Sequence, residues 1–99
     1  MLELTFEEAN DCDLILAHLV EKGAFYNAIE IQNNILKNRE INYVSAIIEK
    51  ICNCYPSIVK ENSVANTYRF IGPNEKTKYF LENGGFAKYN PPFIYPDGI

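Results

Sequence analysis

The chain has no tryptophan, one histidine, one methionine and an odd number of cysteines, and its Lys and Arg residues are outnumbered by its Asp and Glu residues. Each shortage excludes something. His18 has no second histidine to share a metal with, and no spaced cysteine set stands beside it. A structural or exposed histidine is therefore expected. Cys52 and Cys54 are two apart, which on a helix points their side chains about 200° apart, so they can neither pair nor chelate together. Free, partly buried thiols follow, and Cys12 and Cys52 fall on apolar helical faces, unsuited to nucleophilic work. Nine basic groups against thirteen acidic ones give a net charge of −4 and a pI near 4.9. That leaves little of the generic phosphate attraction that supplies much of ordinary DNA affinity.

Long apolar runs are missing too. No window approaches the roughly 20 apolar residues that a membrane-spanning helix needs. Met1 to Glu8 is acidic where a signal peptide would be basic and then apolar, so a cytoplasmic location is expected. Gly84-Gly85 follows a helical stretch, whereas phosphate-cradling loops precede one. Glu7, Glu8, Asp11 and Asp13 lack the alternation and glycine of a calcium loop. No serine sits in a nucleophile-elbow pattern. The expectation is a protein that is not an enzyme, with no cofactor, no metal, no membrane partner and no small-molecule ligand.

What is present is enough for one core. Ninety-nine residues, 47% apolar and 22% charged, suit a single small domain. A first helix is expected from Asn10 or Asp11 as N-cap, with Cys12, Ile15, Leu16, Leu19 and Val20 forming an apolar stripe at helical spacing. Lys22 and then Gly23 close it. A second helix is expected over about Ala28–Leu36, although Ala24-Phe25-Tyr26 reads equally as a short extended piece. Lys37 to Glu40 is a polar turn. A third helix, Ile41 to Cys54, carries Ile41, Val44, Ile47, Ile48 and Ile51 on one face and stops before Pro56. Ser57–Glu61 and Thr67–Ile71 are short and rich in β-branched or aromatic residues, with a loop-like 62–66 between them, which predicts a hairpin. A fourth helix, capped by Asn74, should run to about Asn83 with Thr77, Phe80 and Leu81 inward. The residues from Tyr89 on, with Pro91, Pro92 and Pro96, read as an extended aromatic tail.

Three helices, a hairpin and a closing helix, in that order, resemble the winged helix-turn-helix superfamily over about residues 10–86. The stretch Ile71-Gly72-Pro73 through Phe80-Leu81-Glu82-Asn83-Gly84-Gly85-Phe86 looks like the segment after the wing in some small members. The resemblance implies a small α+β winged-helix-like domain over residues 1–86, followed by an extended tail over 87–99. It also implies one of two functions: DNA binding and transcriptional regulation through the third helix and wing, or protein–protein interaction. Fold alone does not choose between them.

If double-stranded DNA is the partner, the candidate contacts are Lys37, Arg39, Asn42, Lys50 and Asn53 around the third helix, with Lys60 and Arg69 on the wing. Asn suits adenine edges, and Lys and Arg suit phosphates. Tyr43, Ala46 and Glu49 are expected on the same exposed face. Charge is uneven: residues 1–21 hold six acids and no base, a local −6, and the remainder carries +2. That acidic end is expected to face away from the duplex. If instead the partner is a protein, most simply a second copy in a homodimer, the candidates are Tyr89, Phe93, Ile94 and Tyr95 on the tail. They would either dock on a neighbour or cover the domain's own core.

Overall fold

A computed structural model describes residues 4–54, 57–64 and 68–88. Among the described residues are four α-helices, α1 (Phe6–Lys22), α2 (Ala28–Asn34), α3 (Ile41–Cys52) and α4 (Thr77–Glu82). The hairpin strands are β1 (Val59–Val64) and β2 (Tyr68–Pro73), and a terminal 3₁₀ helix spans Gly85–Lys88. This is the compact α+β arrangement of a small winged-helix-like domain. The candidate interface residues Tyr89, Phe93, Ile94 and Tyr95 lie outside the described residues.

The first helix begins earlier than Asn10. Thr5 is its N-cap: the hydroxyl accepts the Glu8 backbone N–H, and the Glu8 carboxylate accepts the N–H of Thr5. This reciprocal box satisfies the N–H groups of Thr5 and Glu8, which have no acceptor within the helix, and so fixes its start at Thr5. Asn27 and Glu30 repeat the device at the start of α2. Gly23, at φ 61°, ends α1 in the left-handed region as its sequence position implies. The second helix stops at Asn34, two residues short of Leu36, and the third at Cys52. Both readings of residues 24–36 hold in part, because Tyr26 makes an isolated antiparallel bridge to Ile71 just before α2 starts.

Ala9, Cys12, Ile15, Leu16 and Leu19 of α1 bury one stripe against Val44, Ile47, Ile48 and Ile51 of α3 and against Ile31, Ile58, Ile71, Phe80 and Phe86. Burying each large apolar side chain contributes about 1.5–3 kcal/mol. Phe80 and Phe86 meet edge-on, with centroids 4.8 Å apart. Of the three cysteines, Cys12 and Cys54 are buried and Cys52 is half-buried.

The strands pair antiparallel, with Val59 opposite Pro73, Glu61 opposite Ile71 and Ser63 opposite Arg69. Asn74 does not cap α4 directly. Its side chain accepts the Lys76 N–H and its N–H donates to Thr77, which donates in turn to the Ile58 carbonyl. Thr77 thereby ties α4 to the chain entering the hairpin, a link that its position on an apolar face conceals. The 3₁₀ helix is held by Asp13, whose carboxylate accepts the N–H groups of Phe86 (2.7 Å) and Ala87 (3.0 Å). Gly85, at φ 59°, approaches that carboxylate too closely for any Cβ. Burial raises the Asp13 pKa above its usual value, opposed by these two hydrogen bonds.

Candidate functional site: the face of the second and third helices

Arg39 precedes α3 in a turn fixed by the Gln32 side-chain amide, which donates to the Arg39 carbonyl. From there its guanidinium turns toward α1. Nε donates to Asp11 at 3.0 Å, and the terminal nitrogen meets Glu7 at 2.8 Å. Tyr43, one turn along, donates its hydroxyl to the same Asp11 oxygen at 2.6 Å and lies under the guanidinium. Asp11 is 3% exposed, so its charge is satisfied by these two donors instead of water. Its hydrogen bond raises the Arg39 pKa and, after burial, helps raise that of Tyr43. Two turns further, Lys50 pairs with Glu8 at 2.8 Å. The Lys50 ammonium is the main reason that the Glu8 pKa is lowered.

The acidic start of α1 therefore does not face away from α3. It lies along it, because the helices pack through shared apolar stripes that leave Glu7, Glu8 and Asp11 beside Arg39, Tyr43 and Lys50. Tyr43 is half-buried, not part of an open face. Asn42, Ser45, Ala46, Glu49 and Asn53 are exposed, as is Lys37 in the preceding turn. The two wing candidates separate. Strand alternation puts Lys60 on the side opposite Arg69, whose face continues the buried Val59 and Ile71. Arg69 pairs diagonally with Glu61 at 3.5 Å. Beside them, burial and the Glu61 charge raise the Cys52 thiol to about 12, well away from thiolate reactivity.

One concavity adjoins this face. A groove of about 410 Å³ is lined by Ala28 and Ile29 of α2, by Ile41, Ile48 and Glu49 of α3, and by Arg69 of β2, among others. Ile29 is 49% exposed and Ile41 is 37% exposed. The sequence reading missed this groove. Helical spacing puts Ile29 and Ile41 in line with the buried residues of their helices, yet both line the open groove where α2 packs on α3. The early signal for the acid lock was the run of six acids without a base in residues 1–21.

Among the described residues, no helix is long and apolar enough to cross a membrane, and no group of three or more His, Cys, Asp or Glu could hold a metal ion. His18 lies edge-on to Tyr26, with centroids 5.0 Å apart. The class this arrangement defines is a small α+β domain of winged-helix-like layout. Comparison with protein-family models, with curated proteins and with solved structures gives no match.

Proposed function

We propose that this chain is a non-enzymatic, protein-binding module on a winged-helix-like scaffold, docking a polypeptide in the groove of α2, α3 and β2. One observation carries the reading. Arg39 and Lys50, the strongest cations of the expected DNA face, are engaged by Glu7, Asp11 and Glu8, while aliphatic side chains stand open in the groove alongside. Phosphate contacts would have to displace two to three carboxylates from the same atoms, with a net negative protein opposing the approach. An apolar partner displaces only water.

The helix order and the polar outer face of α3, with Asn42, Asn53 and nearby Lys37, support a second reading, double-stranded DNA binding in transcriptional regulation. Fluorescence anisotropy with mixed-sequence duplex DNA, at low and then physiological salt, separates the two. The protein-binding reading expects no salt-sensitive association. Binding that weakens steeply with salt, and is lost in the Arg39→Ala/Lys50→Ala variant, would refute it.

A further inference from the structure

The sheet edge beside the groove is cut short. Tyr26 and Ile71 exchange both backbone hydrogen bonds, each at 2.9 Å. This is one rung of a third strand, on the side of β2 away from β1. No second rung follows, because Asn27 caps α2 and Ala28 already turns into the helix. In a pleated strand the amide groups of residues two apart point the same way. The N–H and C=O of Arg69 therefore point outward from the sheet edge on the Tyr26 side, where Ala28 would have continued the strand. Among the described residues these two groups have no hydrogen-bond partner. Arg69 is exposed, and it lines the groove together with Asn27, Ala28 and Ile29.

An open strand position beside an aliphatic groove is a template for an extended chain. We propose that the polypeptide bound in this groove adds to β2 as an antiparallel strand, pairing at Arg69 and carrying a lysine or arginine near an aliphatic anchor. This rests on the reading of the groove as the binding site and specifies what enters it. Directly opposed residues of an antiparallel pair share a face. The anchor opposite Arg69 thus lies on the face of Val59 and Ile71, in the groove that Ile29, Ile41 and Ile48 line. The charge follows from Glu49, which is exposed in the groove wall and forms no ion pair among the described residues. A cation two residues from the anchor shares the anchor's face and so points into the groove that Glu49 lines. The chain's net charge of −4 favours the approach of such a segment. The outer edge of β1 is flanked instead by exposed Lys60 and Glu61, charges that guard edge strands against pairing.

The test is an NMR titration of the full chain, isotope-labelled at backbone amides and isoleucine δ1-methyl groups. The probe is a capped heptapeptide of threonines alternating with lysine, isoleucine and lysine, which puts its apolar and basic side chains on one face. Two further peptides carry a single N-methyl group. One has it on the isoleucine nitrogen, which donates to the Arg69 carbonyl in the proposed pairing; the other has it on the next threonine, whose nitrogen points away from β2. Saturable shifts are expected for the Arg69 amide and the Ile29 and Ile41 methyls, with the buried Ile15 and Ile58 unmoved. Methylation at isoleucine should weaken binding about tenfold, as for the loss of one or two net hydrogen bonds, and methylation at threonine should not. Glu49→Gln should weaken binding and lessen its salt dependence; unchanged affinity there overturns the cationic requirement. No saturable shift up to about 1 mM peptide overturns the proposal. Equal affinity of the three peptides, with Ile29 and Ile41 still shifting, overturns strand addition but leaves the groove as a protein-binding site. Shifts confined to Val59 and Glu61 place the strand on β1 and also overturn it. Duplex DNA added to peptide-free samples tests the underlying reading separately. Displaced amide signals at Asn42 and Asn53 would sink that reading whatever the peptide does.

Discussion

Tyr43→Phe removes one oxygen and little else, so it isolates the lock between α1 and α3. In the native fold, Asp11 is nearly sealed from solvent and its Oδ2 accepts two donors, the Tyr43 hydroxyl at 2.6 Å and Arg39 Nε at 3.0 Å. A hydrogen bond to a charged group contributes about 1.5–3 kcal/mol. Taking away the donor leaves the carboxylate partly unsatisfied where water enters poorly, so the cost should be about 2 kcal/mol. With urea slopes of about 1 to 2 kcal/mol per molar, the unfolding midpoint should fall by about 1 to 2 M. The melting temperature should fall by roughly 8–16 °C for a domain of this size. Urea titration followed by circular dichroism measures both the midpoint and the slope. A cycle with Asp11→Asn should be non-additive by about 1 kcal/mol, because both changes remove the same bond. A loss under about 0.5 kcal/mol, the range of an ordinary surface substitution, would refute the claim that Tyr43 and Asp11 hold the helices in this register.

Other outcomes follow from the same geometry. Glu7→Gln with Glu8→Gln frees part of Arg39 and all of Lys50 from their carboxylates. It should create a weak affinity for duplex DNA with a log–log salt slope of about −2, for two phosphates neutralised; unchanged anisotropy would show that α1 is not what closes this face. Gly85→Ala puts a Cβ into the Asp13 carboxylate at a left-handed backbone position, which alone costs about 1–2 kcal/mol. Urea unfolding should register more than that, and a neutral result would contradict the Asp13 contact. Carboxyl titrations by NMR should give Glu8 a midpoint below, and Asp13 one above, their usual values near 4.3 and 3.9. The linkage signs are opposite. The Glu8 contribution is present above about pH 4 and is lost as pH falls through its depressed pKa, so Glu8→Gln should flatten the acid limb of stability. The Asp13 contribution is full below about pH 4 and is lost as pH rises through its raised pKa, so Asp13→Asn should remove that decline.

The sequence by itself determined the elements and their order. The 3.6-residue spacing of Cys12, Ile15, Leu16 and Leu19, and of Val44, Ile47, Ile48 and Ile51, marks the faces that are buried, because periodicity is a local property that burial reads directly. The hairpin was visible from β-branched and aromatic runs, and the end of α1 from Lys22-Gly23. Element ends were less legible: the start of α1 depended on Thr5 and Glu8 capping each other, and α4 on an Asn74–Thr77 turn. What each charged residue does was decided only by tertiary structure. Arg39 and Lys50 look like free cations in the chain, yet α1 packs so that residues 28 to 42 positions away neutralise them. Lys60 and Arg69 look like a pair on one wing, yet strand alternation puts them on opposite sides. Ile29 and Ile41 look like core residues, yet both line the open groove where α2 packs on α3. Apolar periodicity is fixed within one helix, whereas charge pairing and surface concavity arise from which helices meet and at what angle.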